Sequence, residues 1–442
     1  MKIHFIGIGG IGISAIARMY LAEGNEISGS DKSESTITKE LAKAGAKIFY
    51  NHDAKNIPDD CDLVIYTIAV DATNQEFAEA KQREIKLLSY PQVLGELTTK
   101  KKTIAVSGTH GKTTTTAMIA QIFLAAGLDP TVIVGSLMKT YPICNDISDM
   151  SGTNFIAGRG EYLIVEACEY RRSFLNLSPR LVVITNIDND HLDYYKDLAD
   201  IQSAFAEFIA KLPTDGILVC DSNDERLKPI LEQLKLKNPR CRVVDYTKKD
   251  LAGTQLKIPG AHNVKNAQAA MAVALAAGIS EKVARQALAD FTGTWRRFEF
   301  KGKTKAGAIV YDDYAHHPSE IKAMLAGARE AFPNHQIIAI FQPHLYSRTR
   351  LLLNDFGTSF HDAAEVILLP IYAAREAFDP IISSEILAEK INKQGVSAHF
   401  VADFPAAKDY LDFLTANSYK LKATLIITIG AGDVYQIAEK LI

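Results

Sequence analysis

The segment Gly108-Thr109-His110-Gly111-Lys112-Thr113-Thr114 places glycines, a lysine and hydroxyls in the order a phosphate-binding loop requires. Backbone N–H groups of such a loop point at phosphate oxygens, the lysine reaches the β/γ oxygens, and the next threonine offers its hydroxyl to Mg²⁺. A strict version of the motif has glycine where Val106 stands, so this loop is a shortened variant. Two further groups carry chemistry: Glu166 with Glu169, and Asp188-Asn189-Asp190-His191. Magnesium needs only a few hard ligands and completes its octahedron with water and phosphate oxygens. His191 has two readings, a hydrogen-bonded structural histidine or a ligand to a second ion. Its position beside two aspartates at a strand end points to the second.

A second glycine cluster opens the chain: the strand-like run Ile3–Ile8 leads into Gly7, Gly9, Gly10 and Gly12, with Asp31 about twenty residues on. Strand, glycine turn, helix and distal acid form the dinucleotide fingerprint: phosphates meet a helix N-terminus and the acid holds a ribose hydroxyl. The turn recognises a diphosphate on a nucleoside. NAD satisfies it, and so does a UDP-sugar; a tight turn without a ligand is the third reading. The same stretch superficially resembles a signal peptide, but four glycines and Arg18 interrupt its apolar run, and a strand entering a turn fits better.

The elements that position these residues are legible as short apolar runs alternating with helical stretches: IHFIGI, LVIY, TIAVSG, YLIVEA, LVVITNI, IIAIFQP, EVILLP and ATLIITIG. Continuous apolar strands are those of a parallel sheet covered on both faces. The chain is therefore α/β throughout, and ligands are expected outside the carboxyl ends of the strands. Polar seams at Thr98–Lys102 and at Phe291–Thr294 divide the 442 residues into expected domains 1–98, 99–293 and 294–442.

Composition excludes several classes. With 49 basic and 52 acidic residues the formal charge is -3, so no nucleic-acid partner is expected. Five cysteines (Cys61, Cys144, Cys168, Cys220, Cys241) form no CxxC pair, which argues for reduced thiols in a cytoplasmic protein. No apolar run approaches the ~18 residues of a membrane span, and no membrane partner is expected.

GTHGKTTTT, VEACEYRRSFLNLSP, TNIDNDHLDYY, GAHNVKNAQAAMAVA and YDDYAHHPSEI, in this order behind HFIGIGGIGIS, resemble the Mur ligases of peptidoglycan synthesis. The resemblance covers essentially the whole chain and is strongest to the branch that adds L-alanine to UDP-N-acetylmuramate. It implies a Rossmann-like N-terminal domain for the UDP-substrate, a central P-loop ATPase-like domain and a Rossmann-like C-terminal domain for the amino acid. Gly7, Gly9, Gly10, Gly12 and Asp31 then belong to uridine diphosphate rather than NAD. Gly108, Thr109, His110, Gly111, Lys112, Thr113 and Thr114 belong to ATP, with His262, Asn263 and Asn266 on adenine and ribose. Thr113 and Glu166 fall to one magnesium and His191 to a second. Lys112, Glu166 and His191 make up the catalytic group. Arg296, Arg297 and Asp312 match a face presented to ATP when the third domain closes. His344, Arg348 and Arg375 are candidates for the amino acid's carboxylate and the γ-phosphate, although surface arginines are common. His316 and His317 have a simpler reading as caps of the helix PSEIKAMLAGA.

Two departures from the family pattern stand out. No lysine occurs in residues 197–210, where many relatives carry a carbamylated one, and the stretch from Val219 to Pro259 is short. The implied reaction is ligation through an acyl phosphate, with ATP, UDP-N-acetylmuramate and L-alanine as small-molecule partners, on a monomer or weak dimer. A sibling activity, on another amino acid or on recycled murein peptide, is the alternative.

Overall fold

The computed structural model of the protein describes residues 1–138, 152–192, 194–374, 376–417 and 423–442. Three sheets follow one another along the chain. The first contains β1 (Lys2–Ile6), β2 (Glu26–Ser30), β3 (Lys47–Phe49), β4 (Leu63–Tyr66) and β5 (Lys86–Ser89), all parallel, in the order β3-β2-β1-β4-β5. The second contains β6 (Lys102–Ser107), β7 (Thr131–Met138), β8 (Thr153–Ile156), β9 (Tyr162–Glu166), β10 (Leu181–Ile184), β11 (Ile217–Cys220) and β12 (Arg242–Asp245). Its order is β12-β11-β10-β6-β9-β7-β8, parallel except where β8 runs against β7. The third contains β13 (Glu299–Lys303), β14 (Ile309–Asp313), β15 (Gln336–Phe341), β16 (Glu365–Leu368), β17 (Ser397–Phe400) and β18 (Thr424–Ile429), ordered β13-β14-β18-β15-β16-β17 with only β13 antiparallel.

All eight apolar runs are strands of these sheets, and all eight are flanked by strands on both sides. Burial explains the pattern: Ile104–Val106, Leu163–Val165, Val182–Ile184 and Leu425–Ile429 have almost no exposed surface. Each methylene group they remove from water contributes about 0.8 kcal/mol.

The chain packs as two compact units. One consists of residues Met1–Asp188, Leu198–Thr254 and Asn266–Leu288; the other of Asn189–Asp197, Gln255–Lys265 and Ala289–Ile442. The seam expected at residue 98 coincides with the change of sheet but not with a separation of packing. Asn154 on β8 donates to Ser14 Oγ at 2.8 Å, tying the second sheet to the Ile11–Ala22 helix that follows β1. Likewise, Asn189–Asp197 and Gln255–Lys265, the latter taking in the start of the Ala261–Ala276 helix, leave the expected central domain and pack with the third sheet's unit.

Candidate active site

In the first unit, β6 ends at Ser107 and the Lys112–Ala125 helix begins immediately after the loop. Gly108 (φ +127°) and Gly111 (φ +82°) adopt left-handed backbone. A Cβ at Gly108 would collide with Thr185 Oγ1, and one at Gly111 with Asn266 Oδ1, so glycine is required at both for conformation and space. The loop is held by the segment after β10. Asn186 Oδ1 accepts from the His110 N–H at 3.0 Å, Thr109 Oγ1 accepts from the Asp188 N–H at 2.8 Å, and His110 Nε2 lies 3.2 Å from Asp188 Oδ2.

Lys112 is folded back into this loop. Its Nζ donates to Gly108 O (2.6 Å), Thr109 O (3.0 Å) and Glu169 Oε1 (2.9 Å). Burial works against its charge, but Glu169, Cys168 and Glu166 outweigh burial and raise the ammonium's pKa above the usual lysine range. The lysine is thus a fixed cation. Glu166 ends β9 beside the loop strand, in register with Val106, and its Oε2 accepts from the Gly135 N–H at 2.7 Å. Thr113 is almost fully buried at the first turn of the helix. Ser107 Oγ, also buried, has no hydrogen-bond partner among the described residues. Hard oxygens of Glu166 and Thr113 beside a phosphate loop fit a magnesium ion.

Asn266 joins this site: its Oδ1 accepts from Thr115 Oγ1 at 3.2 Å. At the other glycine turn, both Asp31 oxygens are engaged by backbone, Oδ2 by the Gly9 N–H and Oδ1 by the Lys32 N–H, each at 2.7 Å. Ser30 O accepts from the Gly7 and Ile8 N–H groups. Asp31 therefore shapes the turn, a local role that the expected contact with a ribose did not include.

The second unit gathers another set. His191, in left-handed backbone (φ +55°), follows Asp190, whose carboxylate pairs with Arg348 Nη2 at 3.0 Å. Both partners of that pair are less than a tenth exposed. Burial acts against the Asp190 charge, yet His191, Arg348, His316 and His317 together hold its pKa far below the usual carboxylate range. Arg348 Nη1 also meets His344 Nδ1 at 3.2 Å, and the His344 ring stacks on Tyr372 at 5.7 Å between centroids. His191, Ser347 and Arg348 line a cavity of about 20 Å³, room for about one water. The structure thus brings His191, His344 and Arg348 together; Arg375 lies outside the described residues.

His317 is the N-cap of the Pro318–Ala331 helix, its Nδ1 accepting from the Ser319 N–H at 3.3 Å, as the simpler reading has it; its Nε2 is 3.0 Å from Asn189 O. His316 is pushed down to about 4 by burial, so it is neutral near pH 7.

Asp312 is not on a presented face. It is fully buried, accepting from Arg296 Nε at 2.9 Å and Thr428 Oγ1 at 2.6 Å. Arg296 is equally buried, donating to the carbonyls of Gly430 and Gly432 among the rings of Trp295, Tyr314 and Tyr435. These two residues form an internal clamp. The neighbouring Asp313 accepts the Phe298 and Ala315 N–H groups, and burial pushes it up to about 6. Arg297 lies against Tyr314. His262 has a buried Nδ1 without a hydrogen-bond partner among the described residues, and Asn263 donates to Pro259 O at 2.7 Å.

Sequence reasoning did not find the Asp190–Arg348 pair, because its members are 158 residues apart. It named Glu169 without its role as the partner of Lys112.

A phosphate loop on the central sheet, a diphosphate-type turn on the first and a buried arginine–carboxylate pair among histidines in the second unit describe a ligase of three-sheet design. The family profiles agree. The Mur ligase catalytic domain matches residues 2–102, the Mur ligase middle domain residues 106–256, and the Mur ligase glutamate ligase domain residues 296–432. The chain belongs to the Mur ligase family. It is 41% identical over 465 aligned residues to the UDP-N-acetylmuramate–L-alanine ligase of Clostridium kluyveri, covering 99% of this chain and 97% of that protein. To the enzyme of the same name from Clostridium botulinum it is 40% identical, covering 99% and 96%. Among solved structures, UDP-N-acetylmuramate-alanine ligase from Thermotoga maritima superposes with a TM-score of 0.80 at 30% identity, covering 100% of this chain and 98% of that one. A murein peptide ligase from Psychrobacter arcticus shares the fold, with a TM-score of 0.74 at 22% identity over 100% and 98% of the two chains.

Proposed function

We infer that this protein is an ATP-dependent ligase joining L-alanine to the carboxylate of UDP-N-acetylmuramate in peptidoglycan precursor synthesis. The observation that carries the reading is identity of 40–41%, from end to end of the chain, to ligases of that name. The sibling activity is not favoured: similarity to the murein peptide ligase is only 22%.

A carboxylate is a poor electrophile, and condensing it with an amine in water is uphill. In the proposed sequence its oxygen attacks the γ-phosphorus of ATP, ADP leaves, and an acyl phosphate forms. The neutral amine of L-alanine then attacks the acyl carbon, loses a proton, and expels phosphate. The first step brings two anions together, and the fixed cation of Lys112 with the loop N–H groups offsets their repulsion. Glu169 keeps that lysine charged and aimed. Thr113 and Glu166 would hold Mg²⁺, which when bound neutralises phosphate charge; His191 is the candidate ligand for a second ion. His262, Asn263 and Asn266 remain the candidates for the nucleoside, and Gly7, Gly9, Gly10 and Gly12 for the uridine diphosphate, on a turn that Asp31 holds in shape. His344 and Arg348 are the proposed holders of the amino acid's carboxylate, with Asp190 keeping the arginine in place. Residues 1–98, 99–293 and 294–442 would serve the UDP-substrate, ATP and the amino acid in turn. We place the activity in the cytoplasm; among the described residues no helix is long and apolar enough to cross a membrane.

The test is phosphate release with UDP-N-acetylmuramate, ATP and each amino acid in turn. Release led by L-alanine and dependent on all three substrates is expected. Release without the UDP-substrate, or led by another amino acid, overturns the reading.

A further inference from the structure

The first unit contains a cavity of about 510 Å³ that neither nucleotide loop touches. It lies at the amino ends of the second sheet's strands, where Lys100 and Lys101 precede β6, Thr131 starts β7 and Leu163 lies near the start of β9. Its other wall is the C-terminal end of the Ile11–Ala22 helix. That helix starts at the glycine turn, and its twelve residues place the cavity about 18 Å from the turn. The six residues of β6 place it about 20 Å from the phosphate loop. The volume lies within the range of about 300–1,000 Å³ typical of small-molecule sites.

The lining has two characters. Met19, Leu97, Phe155 and Leu163 give an apolar floor. The rim carries Lys100, Arg159 and Glu23, all exposed. Lys101 is committed to the protein, donating to Thr131 Oγ1 at 2.8 Å and to the carbonyls of Gly158 and Gly160 at 2.9 Å. The side chains of Lys100 and Arg159 make no hydrogen bond or ion pair among the described residues. Three cations therefore face one carboxylate. The helix C-termini at Ala22 and Thr98 add only about half a negative charge each, which leaves the rim positive. An apolar chamber with a few convergent charges at its mouth is the arrangement that fixes an amphipathic ligand.

We propose that this cavity binds a small amphipathic anion, its apolar body against Met19, Leu97, Phe155 and Leu163 and its charge between Lys100 and Arg159. The site is separate from both nucleotide loops, and the inference does not depend on which substrates the enzyme ligates.

The test titrates the full-length protein with 8-anilinonaphthalene-1-sulfonate, an apolar ring system with one anionic group. One saturable site with enhanced fluorescence, undiminished by ATP, is expected. Reversing both charges (Lys100→Glu with Arg159→Glu) weakens binding by about tenfold or more, since each exposed charge contributes up to about 1 kcal/mol and 1.4 kcal/mol is tenfold. Filling the chamber with Ala22→Trp removes the site. Uncharged N-phenyl-1-naphthylamine binds about tenfold more weakly than the sulfonate. Phosphate release by each variant checks that it is folded. Affinity within about twofold of the unsubstituted protein in either variant, displacement by ATP, or equal binding of the uncharged probe overturns the proposal.

Discussion

Replacing Lys112 with alanine separates two jobs that the structure assigns to one ammonium group. The first is structural: Lys112 is 13% exposed and Glu169 3%, at 2.9 Å, so deleting the lysine takes the cation away from a buried carboxylate. Breaking one half of such a pair costs about 3–5 kcal/mol of stability. The second is chemical. An ammonium about 4 Å from a phosphoryl oxygen, at an effective dielectric of about 20, contributes about 4 kcal/mol, a factor of about 10³ in rate. The single variant should therefore show a lower urea midpoint and a kcat about 10³-fold down. Adding Glu169→Gln to Lys112→Ala removes the buried negative charge as well and should restore most of the stability but none of the rate. Urea unfolding and phosphate release on the same preparations read the two effects independently. A Lys112→Ala protein that releases phosphate at the unsubstituted rate with unchanged KM for ATP refutes the phosphate assignment; an unmoved midpoint refutes the pairing.

Other consequences are as direct. Asp190→Ala leaves the Arg348 charge buried and unpaired, so it should destabilise by about 3–5 kcal/mol and raise KM for L-alanine. In a double-mutant cycle with Arg348→Ala, the combined loss of stability should be smaller than the sum of the two single losses. Gly111→Ala forces a left-handed alanine against Asn266, a strain of about 1–3 kcal/mol, and should raise KM for ATP without altering that for the UDP-substrate. His316 stays neutral down to about pH 4, whereas an unfolded histidine titrates near about 6.5. Between those values the unfolded chain binds a proton that the native one does not. Its contribution is fully present above that window and is lost as pH falls through it, by at most about 3 kcal/mol. Urea midpoints measured against pH should show that slope reduced in His316→Asn.

The legible parts of the fold were those where each strand is buried by its neighbours. Continuous runs such as LVVI and TLIITI have no polar face, and β10 and β18 lie inside their sheets. Edge strands were not readable: β3 (KIF), β12 (RVVD) and β17 (SAHF) are short and half solvated, and their pairing is decided by the sheet beside them. The phosphate loop was legible because its chemistry is contiguous in sequence. Asp190 and Arg348 meet only through tertiary packing. Of the adjacent aspartates 312 and 313, sequence carries no sign that Arg296 takes the first and backbone amides the second.

The second unit takes two of its three pieces from the middle of the chain, so the polypeptide passes from one unit to the other five times. A fragment cut at residue 294 would lack Asn189, whose carbonyl meets His317, and Asp190, which neutralises Arg348. Exchanging this region between relatives would therefore mean transplanting three separate stretches together. On the ribosome, residues 189–197 and 255–265 emerge long before the strands they will join, and must wait for the last part of the chain to be made.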